Sequence, residues 1–296
     1  MAGALKEVRN RIKSVQSTQQ ITKAMKMVSA AKLRRAQDAI IQMRPYAKKL
    51  QEMLSNIVSN TDGDSGGDLA IERPVEKVLL IVISSDRGLC GAYNANVIKL
   101  ARSVAQENYP QQLAKGNITV WPVGKKAFDF FQKGSFGVNP AYKDVLHHIS
   151  FEQIQQVAQA AIESFAKKEF DVVEVVYSEF RNAATQRFTA ERFLPIPKVE
   201  VENKDGKTTK ADFIFEPGKE TLIAELMPKI LNTQLYKAVL DANASEHGAR
   251  MTAMDKASEN ANELLKSLRI SYNRARQAAI TTELSEIVSG AAALQG

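Results

Sequence analysis

Apolar and polar positions follow three different rhythms along this chain. From Lys219 to Ala293 the rhythm is helical: no proline follows Pro228, and Gly248 is the one glycine between Pro228 and Gly290. Good helix formers (Ala, Leu, Glu, Lys, Arg, Gln) dominate the stretch. A single helix over most of it would be on the order of 100 Å long, too long for one compact core to bury. It must pack along a second long helix, insert into a partner, or do both. Leu264, Leu268, Tyr272, Ala275 and Ala279 follow at steps of 4, 4, 3 and 4, and Ala242, Ala249, Ala253 and Ala257 carry a similar spacing upstream. This heptad-like pattern predicts a coiled-coil seam whose small side chains bring two helix axes close. The plainer alternative is a helical bundle with one overlong member.

A second long helical pattern runs from Leu5 to about Val58. Leu5, Val8, Ile12 and Val15 step by 3, 4 and 3. A polar break follows at Ser17-Thr18-Gln19-Gln20, and the stripe is expected to resume with Ile21, Met25 and Val28 and to close with Leu50, Leu54 and Ile57. Pro45 predicts a bend or break, since proline inside a helix loses a hydrogen bond and clashes with the preceding turn. After the glycine-rich hinge Thr61–Asp68 the rhythm changes to alternating strands and helices. Val78–Ile83 is a continuous, β-branched apolar run, as in a strand buried on both faces of a parallel sheet. Helices are expected at 94–108, 124–131 and 151–168, and strands at 118–121, 172–177, 187–194, 199–201 and 212–215. The order defines a small three-layer, Rossmann-like α/β domain. The expected organisation is a coiled-coil helix over 1–60, a linker over 61–76, an α/β domain over 77–217 and a second coiled-coil helix over 218–296. The fold class is therefore α/β plus a long antiparallel coiled coil, the two terminal helices pairing around the inserted domain.

Charge sharpens the picture. Residues 1–60 hold twelve Lys and Arg against three acids, a net +9, while the rest of the chain sums to −2. A solvated helix face is the ordinary reading of such a run, but so few acids leave the charge uncompensated and favour an acidic partner. Nucleic acid is the alternative partner. Residues 1–45 contain no Phe, Tyr or Trp to stack on bases, and no zinc or zipper pattern accompanies the basic helix. No apolar run is long enough to span a bilayer, and the N-terminus lacks the apolar core of a secretory signal, so a cytosolic or cytosol-facing protein is expected. One cysteine, Cys90, excludes an internal disulfide and a multi-cysteine metal site.

The most tempting chemical motif is Ser84-Ser85-Asp86-Arg87-Gly88-Leu89-Cys90-Gly91, which follows the first strand and precedes a helix. α/β folds bind anions at such turns. The glycine spacing of known phosphate cradles is missing, however, and neither His147 nor His148 stands at a spacing that marks it as the base for a Cys90 nucleophile. The third histidine, His247, joins no ligand cluster. No cofactor is expected.

At both ends the chain resembles the gamma-subunit family of the F-type ATP synthases, in its bacterial form. The run Ile280–Ala293 carries the family's C-terminal signature, and Ala249–Met254, Tyr272–Gln277, Ile21–Val28, Arg44–Ala47 and Asp86–Gly91 are similar to family blocks. The resemblance covers the whole chain in order and is weakest between about 116 and 210. It implies a non-catalytic rotor shaft that couples ion-driven rotation of a membrane ring to ATP synthesis or hydrolysis in a hexameric ring of alpha and beta subunits. It also implies one copy per complex, an epsilon subunit and a rotor ring of c subunits as further partners, no nucleic acid, no direct membrane insertion, and a place on the cytoplasmic face of the bacterial inner membrane. By resemblance, Lys23, Met25 and Lys26 meet acidic lever loops of the beta subunits, and Arg250 faces the same region. Arg276, Gln277, Thr281 and Glu283 contact beta-subunit loops, and 287–294 forms a tip in an apolar sleeve. Phe213 and Phe215 lie in the foot near epsilon and the rotor ring, where many relatives carry tyrosines. The dithiol switch of plastid members is absent from a chain with one cysteine.

Overall fold

Strand β1 (Val78–Ile83) is buried at every position, as its unbroken apolar run requires. Its side chains alternate between two cores: Leu79, Ile81 and Ile83 enter one, and Val78, Leu80 and Val82 the other. The computed structural model describes residues 2–59, 69, 71–183, 185–196 and 219–295. Its elements are α1 (Ala2–Ser59), β1, α2 (Tyr93–Glu107), α3 (Pro110–Ala114), β2 (Ile118–Val123), α4 (Lys125–Phe131), β3 (Gly137–Val138), two short 3₁₀ turns, α5 (Phe151–Ala166), β4 (Val172–Phe180), β5 (Gln186–Leu194) and α6 (Lys219–Gln295). The strands expected at 199–201 and 212–215 lie outside the described residues.

The sheet order is β3-β2-β1-β4-β5. β1 pairs parallel with β2 and β4, β2 with β3, and β5 closes one edge as an antiparallel hairpin with β4. The hairpin edge expected from Arg187–Leu194 is therefore present. The α5 face packs Ile154, Val157, Ala161 and Phe165 against the sheet together with Leu231, Leu235, Ala238 and Val239 of α6. The α2 face packs Val97, Ala101 and Val104 over Val78, Leu80 and Val82. Within this apolar face Glu174 of β4 is buried. Tyr109 donates to its carboxylate at 2.5 Å, and Arg192 donates to the Tyr109 hydroxyl at 3.2 Å. The pairing offsets the desolvation that an isolated carboxylate would suffer there.

The chain divides into two compact units, residues 1–30 with 250–296, and residues 31–249. The expected interruption at Pro45 does not end α1, which runs through it as one helix. Leu33, Ala36 and Ile40 on one side of it and Leu50 on the other are buried, and their burial outweighs one lost hydrogen bond. α6 likewise runs through Pro228, beside the buried Leu226, Met227 and Leu231.

In the first unit the two helices pair antiparallel. Arg9 Nη2 donates to the Tyr272 hydroxyl at 2.8 Å, the Thr22 and Ser258 hydroxyls share a hydrogen bond of 2.7 Å, and Lys26 Nζ meets Asp255 at 2.5 Å. Partners on α6 fall in number as those on α1 rise. The seam of α6 is Met254, Ser258, Ala261, Leu265, Leu268, Tyr272, Ala275, Ala279 and Thr282, all at least half-buried, at alternating steps of 4 and 3. The seam expected through Leu264 is corrected: Leu264 is 40% exposed and Leu265 5%. Two successive steps of 4 outrun a repeat of 3.5 residues and carry the stripe off the interface. Ala242, expected in the seam, instead lies in the sheet core of the second unit.

A second correction concerns α1. Its shielded positions continue without a break as Leu5, Val8, Ile12, Val15, Gln19, Thr22, Lys26 and Ser29, again at steps of 3 and 4. The stripe does not resume at Ile21 and Val28, which are both 57% exposed. The seam turns polar here because the Thr22 hydroxyl finds Ser258 across the pair and Gln19 O within its own helix.

Candidate functional site

The turn after β1 is where a fold of this topology would take a ligand, because the strand order reverses between β1 and β4. Here three amide donors at that edge are met by the chain's own side-chain oxygens. Ser84 Oγ accepts from Ala127 N at 2.9 Å, Asn94 Oδ1 from Ser85 N at 3.0 Å, and Asp86 Oδ1 from Lys125 N at 3.2 Å. Gly124 makes the approach possible: its φ is +108°, and a Cβ there would lie 2.7 Å from Ser84 O.

α6 closes the remaining space. The Tyr93 hydroxyl donates to Ala242 O at 3.1 Å, and Ser245 Oγ donates to Ser178 O, near the end of β4, at 3.1 Å. Gly248 lies against the β4–β5 hairpin so closely that a Cβ would stand 3.1 Å from Ala183 O. The crevice is thus packed with helix rather than left as a cleft.

No nucleophile–base pair forms among the described residues. Cys90 is buried and receives a hydrogen bond from Asn94 Nδ2 at 3.2 Å. His147 Nδ1 instead meets Asp86 Oδ2 at 2.8 Å, and Lys125 meets Asp144 at 3.3 Å. These pairs tie the β1–α2 turn, the start of α4 and the 139–150 segment together. No group among the described residues could hold a metal ion.

The other candidates lie on the paired helices. Lys23 is exposed, Met25 is half-buried, and Lys26 is engaged by Asp255. Arg250 is buried. Arg276, Gln277, Thr281 and Glu283 are exposed, and the Thr281 hydroxyl bonds back to Gln277 O at 3.0 Å. At the register set by Thr22–Ser258 and Lys26–Asp255, Ala2 is level with about residue 279. Roughly the last sixteen residues of α6, about 24 Å of helix, extend past Ala2. That extension presents Ile280, Leu284, Ile287 and Val288 to solvent. Phe213 and Phe215 lie outside the described residues. Sequence reasoning missed the Arg9–Tyr272 clamp, in which the guanidinium also sits 5.7 Å from the ring centroid. A tyrosine at a seam position opposite a basic helix was the available signal.

The fold defines a class: an α/β sheet domain whose terminal helices pair antiparallel and whose ligand crevice is occupied by its own C-terminal helix. The sequence profile of the ATP synthase family matches residues 4–294. The ATP synthase gamma chain of Chlorobium phaeobacteroides is 50% identical over 293 residues, covering 99% of this chain and 99% of the relative. That of Cytophaga hutchinsonii is 48% identical over 291 residues, covering 98% and 99%. Among solved structures, a chain of the Euglena gracilis mitochondrial ATP synthase superposes with a TM-score of 0.66 at 23% identity, covering 99% of this chain and 95% of that one. The chain belongs to the ATP synthase gamma-chain family.

Proposed function

We propose that the chain is the rotor shaft of a bacterial F-type ATP synthase. It couples ion-driven rotation of a membrane ring of c subunits to ATP synthesis or hydrolysis in a hexamer of alpha and beta subunits, and it supplies no catalytic residue. One copy serves each complex, with epsilon beside it, peripheral to the cytoplasmic face of the inner membrane. The observation that carries this reading is the helical pair with its extended, apolar-studded end. A helix that exposes Ile280, Leu284, Ile287 and Val288 gains by insertion into an apolar sleeve. The filled crevice agrees with a part that transmits force rather than turning over substrate.

In this reading Lys23, Met25, Lys26 and Arg250 lie near the beta-subunit levers, with Lys26 sharing its charge between Asp255 and the lever. Arg276, Gln277, Thr281 and Glu283 face loops higher in the cavity, and Phe213 and Phe215 belong to the foot toward epsilon and the rotor ring. Each shaft angle then presents different contacts to three otherwise equivalent sites, which biases them differently. Reconstitution with alpha and beta subunits from the same source tests this. The full chain yields one copy per six-subunit ring and stimulates ATP hydrolysis, and truncation at Gln277 weakens both. A chain that neither assembles nor stimulates turnover contradicts the reading, and salt-sensitive retention on nucleic acid would then favour the basic-coil alternative.

A further inference from the structure

The face that α6 turns to the sheet changes character along its length. Leu231, Leu235, Ala238, Ala242, Ser245 and Ala249 follow at steps of 4, 3, 4, 3 and 4, so one stripe runs through all six. Leu231 and Leu235 are large and enter the apolar core of the α5 face. From Ala238 onward the stripe is small, and the helix backbone itself comes close. The Tyr93 hydroxyl reaches Ala242 O at 3.1 Å, and a Cβ on Gly248 would meet Ala183 O at 3.1 Å. Elsewhere on α6 hydroxyls turn back to their own helix, as Thr233 does to Lys229 O at 2.8 Å and Ser285 to Thr281 O at 2.9 Å. Ser245 reaches outward instead and donates to Ser178 O of β4 at 3.1 Å. Tyr93 and Ser245 are both buried, so these hydrogen bonds are shielded from solvent.

The two kinds of contact resist different motions. Apolar burial is non-directional, and a helix resting on it alone can roll while its area stays covered. A hydrogen bond weakens steeply once it is misaligned. Here α6 is held on neighbouring turns by one bond from α2 and one to β4, and the close approach at Gly248 leaves no room to roll toward the hairpin.

We propose that Tyr93, Ser245 and Gly248 form a torsional joint that fixes the angle of α6 on the sheet domain. Tyr93 and Ser245 are positioning residues: they carry twist between the sheet domain and the shaft, whereas Leu231, Leu235 and Val239 supply stability. The proposal rests on the rotor reading.

The test uses the full-length chain reconstituted with surface-anchored alpha and beta subunits. A probe is attached through Lys99→Cys on the exposed side of α2, native Cys90 being buried. Its angular variance is measured with the ring held without ATP, for the unaltered joint, for Tyr93→Phe with Ser245→Ala, and for Val239→Ala. Loss of two of three comparable directional contacts predicts a variance at least about twofold larger in the double variant. Val239→Ala removes buried apolar volume from the same helix and should lower the melting temperature followed by Trp121 fluorescence, while leaving the variance unchanged. Should the double variant unfold, Tyr93→Phe, which deletes a single hydroxyl, must broaden the distribution alone. If the chain with the unaltered joint does not assemble, the rotor reading fails and the joint with it. If it assembles but the hydroxyl variants leave the variance unchanged, or Val239→Ala broadens it equally, the joint alone is overturned.

Discussion

Gly248 offers a sharp test of how α6 closes the crevice. In an exposed helix, Gly→Ala stabilises by about 1 kcal/mol, because alanine loses less backbone freedom. At position 248 the new Cβ would stand 3.1 Å from Ala183 O and 3.2 Å from its Cα, tighter than ordinary contact. The obstacle is backbone, in a hairpin turn pinned by a hydrogen bond from Thr185 N to Asn182 Oδ1 at 2.7 Å, so it yields little. Overpacking of this kind costs about 1–3 kcal/mol. Subtracting the helix gain leaves Gly248→Ala destabilised by about 1 kcal/mol, and Gly248→Leu, with three more carbons to place, by more than about 3 kcal/mol. Trp121 is the natural probe: it is the single tryptophan, it is buried in the same sheet domain, and its ring centroid lies 4.9 Å from that of Tyr142, the two rings tilted by 45°. Thermal unfolding followed by its fluorescence should show Gly248→Ala melting about 2–4 °C lower. A melting temperature raised by that amount would refute close helix–hairpin packing.

Three further outcomes are expected. Burial first, then Glu174 beside Tyr109 and Glu191 beside Tyr177, push both phenols well above their ordinary value of 10.0. Their stability contribution is full below pH 10 and is lost as pH rises beyond it, because there only the unfolded chain releases these protons. Tyr109→Phe and Tyr177→Phe should each remove up to about 1.4 kcal/mol per pH unit from the alkaline slope of a denaturant titration, and an unchanged slope in both contradicts this. In the helix pair, Thr22→Val should cost about 0.5–1.5 kcal/mol, and the double variant with Ser258→Ala hardly more, measured by hydrogen exchange over residues 12–29; strictly additive losses would deny the coupling. The Lys26–Asp255 pair is nearly half exposed, so Lys26→Gln should shift the same exchange by less than about 1 kcal/mol, whereas a loss above 2 kcal/mol would make it a structural lock.

What could be read from sequence was what periodicity encodes. The run Val78–Ile83 announced a doubly buried parallel strand, and the absence of proline after Pro228 announced a long helix, which continues to Gln295. Periodicity failed where polar residues occupy a seam. Thr22 and Ser29 look like surface residues until Ser258 is seen across the pair, and by spacing and polarity alone the apolar Ile21 and Val28 fit an inward stripe better. Leu264 and Leu265 are adjacent and chemically identical, and only the long-range repeat separates them. Pro45 warned of a break that burial on both sides overrides. The filling of the crevice was illegible, because Gly248 and Ala183 are far apart in sequence and neither carries a chemical signal.

The central claim, that this chain turns inside a ring, is tested most directly by watching it turn. Native Cys90 is buried, so a cysteine placed at the exposed Lys99 of α2 gives a single reactive handle for a probe. In a complex reconstituted with surface-anchored alpha and beta subunits, ATP should drive unidirectional rotation of the probe, in steps that share the ring's threefold symmetry. A complex that hydrolyses ATP at full rate while the probe stays fixed would contradict the account.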